Sequence, residues 1–174
     1  MSDYAQASDY AQASDYAQAS SDKSSDKSSE KPEITVWNRQ RQAPVDLKRL
    51  RTDAKRAVLL VEELSARRQL PEDISVVLVS DRRIAQLHQD YMQISGATDV
   101  ITFEHGDVFI SVETARRQAA EFGTSLEKEL CLYLIHGLLH LVGFDDHSAE
   151  DAAIMSRMQG QLLDRLVKQG LQGQ

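Results

Sequence analysis

The sequence predicts the α+β class: a single small domain in which a mixed four-stranded sheet is packed with helices. Three observations predict it. Strand-like and helix-like apolar spacing alternate in the order β-α-β-α-β-β-α-α-α. Two consecutive strand-like runs are joined by a short Gly-Asp link, which places an antiparallel pair in the sheet. One late helix is apolar on nearly all sides, with Leu130, Leu132, Leu134, Ile135, Leu138, Leu139 and Leu141, so it is central and buried.

The chain opens on a polar segment. Residues 2–19 are three copies of Ser-Asp-Tyr-Ala-Gln-Ala, and two Ser-Ser-Asp-Lys units follow at 20–27. Such a segment cannot bury enough apolar surface to offset the entropy of ordering. Residues 1–31 are therefore expected to be a disordered low-complexity tail and residues 32–174 the folded domain. Within it, Glu33 to Trp37 reads as a short strand. Asp46 is placed to cap a long helix to about Arg68, with Leu47, Leu50, Ala54, Val58, Val61 and Leu64 on its inner face. The apolar, β-branched run Ile74 to Val79 predicts a buried strand. Asp81 is expected to cap a short helix, Arg82 to Tyr91, before a loop around Gly96. Asp99 to Phe103 and Val108 to Val112 read as the hairpin, turning through Glu104-His105-Gly106-Asp107. A helix from about Val112 to Phe122 stops at Gly123. Thr124-Ser125-Leu126-Glu127 forms a capping box for the apolar helix, which runs to about Leu141. Ser148 with Asp151 opens a last helix to about Lys168.

Composition narrows the setting. No apolar run approaches the ~20 residues of a membrane helix, and the polar N-terminus lacks the apolar core of a secretory signal. The single cysteine, Cys131, lies in the apolar helix and is expected to be a buried core residue in a reducing, cytoplasmic protein. The net charge of −7 does not by itself suggest a nucleic-acid partner. Its distribution softens this: the first 31 residues carry −3, whereas residues 39–56 carry a local +5. Those basic residues, with Arg49 and Arg56 as candidate substrate contacts, could follow a phosphate backbone.

The chemistry concentrates in His136-Gly-Leu-Leu-His140-Leu-Val-Gly143-Phe-Asp-Asp-His147, which holds three of the five histidines. His136 and His140 are spaced i, i+4, so a helix carries both imidazoles on one face, one turn apart. Gly143 lets the chain leave the helix and turn back, bringing Asp145, Asp146 and His147 toward a third ligand position. Three protein ligands and an open position describe a catalytic zinc site. Zinc proteases of the H-E-x-x-H type carry a glutamate base directly after the first histidine. Here that residue is Gly137, which disfavours peptide hydrolysis.

The block from His136 to His147 resembles the signature of the YbeY family. Leu87 through Tyr91, then Thr98-Asp99-Val100-Ile101-Thr102-Phe103 and Gly106-Asp107-Val108-Phe109-Ile110-Ser111, are similar to that family's Leu-rich helix and two following strands. The resemblance spans roughly residues 33 to 165. It implies a small α+β domain with one zinc ion held by three histidines. It also implies a single-strand-specific, metal-dependent endoribonuclease of ribosomal RNA maturation and ribosome quality control. The expected partners are single-stranded ribosomal RNA and the ribosomal subunit or its proteins, with no membrane and no DNA.

Two departures bear on the site. Six residues separate His140 from His147, and relatives usually place the third histidine one position earlier, in the register of Asp146. His136, His140 and His147 are the expected catalytic metal ligands, with Asp146 the alternative third ligand, since a carboxylate oxygen also binds zinc. Many relatives carry an arginine after the aromatic at position 91, where this chain has Met92. Asp145, Asp146 or backbone carbonyls are the expected supports for the histidine rings. His105 is a further acid–base candidate or a simple turn residue, His88 a surface residue, and Thr98, Asp99 and Gly106-Asp107 are expected to hold strands and turn. The competing readings are a non-catalytic, zinc-stabilised ribosome assembly factor and a metallopeptidase.

Overall fold

The computed structural model describes residues 31–64 and 68–172; residues 1–30 of the expected tail lie outside the described residues. Among the described residues, four strands and five helices follow in the expected order: β1 (Glu33–Asn38), α1 (Leu47–Leu64), β2 (Asp73–Val79), α2 (Asp81–Met92), β3 (Val100–Thr102), β4 (Asp107–Ser111), α3 (Val112–Phe122), α4 (Leu126–Leu141) and α5 (Ala149–Gln172). The sheet order is β1-β2-β4-β3. β1, β2 and β4 run parallel and β3 pairs antiparallel with β4, so the sheet is mixed, as predicted.

Strand alternation divides the apolar residues between two faces. Val76, Leu78, Val108 and Ile110 join the main core with residues of α1, α4 and α5. Val77, Val79, Phe109 and Ile101 turn to the other face, where Ile84 and Leu87 of α2 cover them. α4 is the hub: it touches α1, α3, α5 and the β3–β4 edge, and Leu130, Leu134, Ile135, Leu138 and Leu139 are buried almost completely. The sequence-predicted central helix is thus in place. α5 contributes Met155, Leu162, Leu163 and Leu166 to the same core, each buried side chain worth ~1.5–3 kcal/mol.

The helix starts differ in detail from the sequence reading. Asp46 does cap α1, its Oδ1 accepting from Arg49 N at 3.0 Å. The described helix runs to Leu64, which is exposed, and residues 65–67 of the expected span lie outside the described residues; Ala57 and Leu60 add to the buried face. Ser80, not Asp81, caps α2: its Oγ accepts from Arg83 N at 3.3 Å. Asp81 faces α3 instead, accepting from Ser111 Oγ at 2.5 Å, Thr114 Oγ1 at 2.9 Å and Arg117 Nη1 at 2.5 Å. Burial opposes ionisation of Asp81, but these hydrogen bonds prevail and hold its carboxyl below the ordinary value. Ser125, not Thr124, caps α4, accepting from Lys128 N at 3.2 Å, while Thr124 Oγ1 bonds Glu129 at 2.5 Å. Ser148 accepts from Asp151 N at 3.1 Å, as expected for the start of α5. Burial pushes the Cys131 thiol up to about 12, which suits a core residue.

Candidate metal centre

The α4 helix carries His136 and His140 on one face, and their Nε2 atoms stand 2.9 Å apart. Each ring is fixed from behind. Phe144 O accepts from His140 Nδ1 at 3.0 Å, and Gln159 Oε1, from α5, accepts from His136 Nδ1 at 3.2 Å. A carbonyl oxygen can only accept, so the proton of each neutral imidazole lies on Nδ1. Both Nε2 atoms then present bare lone pairs to one another. Burial, then the neighbouring His136, lowers the His140 pKa against the pull of Asp146, and this net lowering favours the neutral ring.

Asp146 completes the group. Its Oδ2 lies 3.6 Å from His136 Nε2 and its Oδ1 3.9 Å from His140 Nε2. A tetrahedral ion with bonds of ~2.0–2.2 Å spaces its donors roughly 3.3–3.6 Å apart. The three observed separations bracket that range. Two imidazole nitrogens and a carboxylate converging on one point form a donor set that fits a cation such as zinc.

His147 lines the same cleft but its ring faces Asp145. It is exposed and hydrogen-bonded through Nδ1 to Asp145, which raises its pKa and lowers that of Asp145. Asp145, Asp146 and His147 form a second, fully exposed donor group. The turn after Gly143 (φ +89°) therefore points Asp146 at the histidine pair and His147 at Asp145.

Gly137 explains how the helix reaches the sheet. A Cβ there would stand 2.7 Å from Val108 Cγ1 and 3.1 Å from Thr102 Oγ1. The position after the first histidine is thus pressed against β3 and β4, with no room for a glutamate. At the same close seat, Thr102 Oγ1 is buried with no hydrogen-bond partner among the described residues.

The histidine pair opens into a cleft of about 530 Å³, walled by Val100, Ile101, Leu141 and Phe144 among others. Thr98 and Asp99 also line it, and they hold the start of β3 as expected: Asp99 Oδ1 accepts from Val100 N at 2.9 Å and from Thr98 Oγ1 at 3.0 Å. His88, expected only at the surface, lines the cleft, and its Nδ1 meets Gly96 O at 3.0 Å. His105 stays in the hairpin turn, bonded to Asp107 at 2.9 Å and stacked on Phe103. Arg49 and Arg56 lie on α1, each 3.7 Å from Asp53, and do not line the cleft. Arg68 does line it.

Two residues escaped the sequence reading. Gln159 lies far from the histidines in the chain, on a helix face whose register with α4 no local pattern gives. Arg68 follows the end of α1 as one of an arginine pair, a pattern that usually marks a solvated surface.

Residues 35–167 match the profile of the family described as Endoribonuclease YbeY. Three relatives bearing that name are similar over long stretches. A Myxococcus xanthus protein is 40% identical over 68% of this chain, although the match spans only 43% of that longer protein. A Petrotoga mobilis protein is 36% identical, covering 78% of this chain and 96% of the relative, and one from Geobacter metallireducens is 33% identical, covering 79% and 98%. The solution structure of a Thermotoga maritima protein shares the fold, with a TM-score of 0.57 over 80% of this chain and 93% of the other at 23% identity. The profile match and the near-complete coverage of two relatives make this chain a member of the YbeY family of endoribonucleases, which are hydrolases.

Proposed function

We propose that this protein is a zinc-dependent endoribonuclease that cuts single-stranded ribosomal RNA during rRNA maturation and ribosome quality control in the cytoplasm, with its activity housed in residues 32–174. The observation that carries the reading is the pair of bare Nε2 atoms 2.9 Å apart, faced by Asp146. In the tautomer with both Nδ1 atoms protonated, that arrangement offers its lone pairs to a cation. His136 and His140 hold the ion, and a third donor comes from the following turn. Asp146 is the donor this geometry favours; His147 would serve only if the turn swung away from Asp145. A bound zinc ion supplies Lewis acidity, lowering the pKa of water toward ~7 and polarising a phosphoryl oxygen.

The chain's own residues prepare that chemistry. Phe144 O and Gln159 Oε1 hold the two imidazoles in the tautomer that exposes Nε2. The buried α4 helix gives them a rigid base. Leu141, Phe144, Val100 and Ile101 line the cleft with apolar surface, which strengthens electrostatic interactions inside it. Gly137 leaves no acid beside the first histidine, which argues against a peptidase.

One observation favours a second reading, a zinc-stabilised assembly factor without turnover: Asp99, Glu104, Asp145 and Asp146 all line the cleft. The two readings part on one experiment. Purified wild type and His140→Ala are incubated with labelled single-stranded RNA, with and without chelator. Cleavage by wild type alone, lost on chelation, is the expected result. Zinc bound to wild type with no cleavage favours the assembly factor, and equal cleavage by both proteins refutes a metal nuclease.

A further inference from the structure

We infer that Arg68 is the phosphate-binding residue of this cleft, gripping the RNA backbone beside the metal centre; the inference rests on the cleft being an RNA site. Its position comes first. Arg68 lines the same cleft as His136 and His140. Its Cδ lies 4.0 Å from where a Cβ would stand on Gly143, just beyond the helix that carries the histidines. Its Nη2 lies 3.9 Å from Glu104 Oε2 in the β3–β4 hairpin. The side chain therefore spans from the end of α4 to the hairpin.

Charge makes the position informative. The carboxylates lining the cleft are Asp99, Glu104, Asp145 and Asp146. A polyanion entering such a cleft meets repulsion that the metal alone must offset. Arg68 is the one arginine or lysine among the described lining residues, so it supplies the permanent positive charge on the protein side. A guanidinium suits the task, because its planar fork matches two phosphate oxygens at once.

The state of its ion pair points the same way. Glu104 is 90% exposed and the arginine 50%, at a separation too long for a hydrogen bond. Such a pair is worth little and yields readily to a better anion. Other arginines in the domain are tied down closely: Arg117 to Asp81 and Arg165 to Glu63, both at 2.5 Å. Arg49 and Arg56 share Asp53 away from the cleft. Arg68 has a place in the cleft, and its exposed ion pair with Glu104 is one that a phosphate can displace.

The test uses full-length, zinc-loaded wild type, Arg68→Gln, Arg68→Lys and Glu104→Gln. RNA affinity is read by fluorescence anisotropy over a salt series, alongside cleavage kinetics and zinc content. Arg68→Gln is expected to weaken RNA binding and raise KM roughly tenfold. It should also flatten the dependence of log Kd on log salt by about 0.7, with zinc content and kcat near wild type. Arg68→Lys should restore part of the affinity, since it keeps the charge but not the fork. Glu104→Gln should tighten binding in wild type and do less in the Arg68→Gln background. Unchanged affinity and salt slope in Arg68→Gln would overturn the inference. So would a loss confined to kcat or to zinc content, which would make Arg68 a structural residue. If wild type binds RNA without cutting it and Arg68→Gln binds it weakly, the phosphate role stands and the nuclease reading falls.

Discussion

Gly137 Cα and the Val108 side chain meet so closely that an added Cβ would lie 2.7 Å from Val108 Cγ1. The ligand helix is held against the sheet by the absence of a side chain. Gly137→Ala gains helix propensity of ~1 kcal/mol, but overpacking costs ~1–3 kcal/mol. The expected net is a loss of about 1 kcal/mol or more, read from the urea midpoint, with weaker zinc binding as α4 lifts. Unchanged stability and zinc affinity would mean that β4 yields freely at this point.

The third ligand separates two neighbours. His136→Ala and His140→Ala should each abolish zinc binding. Asp146→Ala should cost more than the roughly 10–100-fold typical of a supporting residue, and His147→Ala less. A competitive chelator titration measures both. The reverse ranking would show that metal binding refolds the turn around His147, and equal small losses would remove both residues from the site.

Gln159 gives a prediction on a residue that touches no metal. Gln159→Leu keeps the volume and removes the acceptor for His136 Nδ1–H. The ring is then free to adopt the other tautomer, which places the proton on Nε2. Zinc affinity should fall by about 10–100-fold with little change in fold stability. If affinity holds, the ring is oriented by packing rather than by this hydrogen bond.

Asp81 should govern part of the acid sensitivity. Its carboxyl is held below the ordinary value in the folded state, so its contribution is complete above the unfolded pKa of ~3.9. That contribution is lost as pH falls through the lower folded value. Arg117 is more than half exposed, so most of the effect comes from the two hydroxyl hydrogen bonds, roughly 1–2 kcal/mol in all. Asp81→Asn should lower the unfolding free energy at pH 7 by that much, read from urea unfolding, and match wild type more closely near pH 3. A deficit that stays constant with pH would assign the loss to packing instead of charge.

Much of this was legible in the sequence, and the misses share a cause. The element order, the mixed sheet and the central helix followed from apolar periodicity, which burial enforces residue by residue. The i, i+4 histidines needed only helical geometry. The caps went astray by one residue at Ser80 and Ser125, because Asp81 and Thr124 can satisfy the same local pattern and tertiary partners decided between them. Asp81 was drawn to Ser111, Thr114 and Arg117, which no local window contains. The orientation of Asp146 against His147 depends on a turn whose backbone angles are set by Gly143 and by the carbonyl that Phe144 offers to His140. Gln159 reaches His136, and Arg68 the cleft, across sequence separations that spacing cannot encode.

The all-round apolarity of α4 has a consequence in time. Its surface is closed in part by Met155, Leu162, Leu163 and Leu166 of α5, a helix that leaves the ribosome only after α4 is complete. Until residues 149–172 emerge, a nascent chain would display an oily, histidine-bearing helix with nothing over one side. The same helix brings Gln159 to His136, so the covering of the core and the orienting of that imidazole happen in one event. A chain stalled before that point should be prone to capture by chaperones and should hold an ion more weakly than the finished domain.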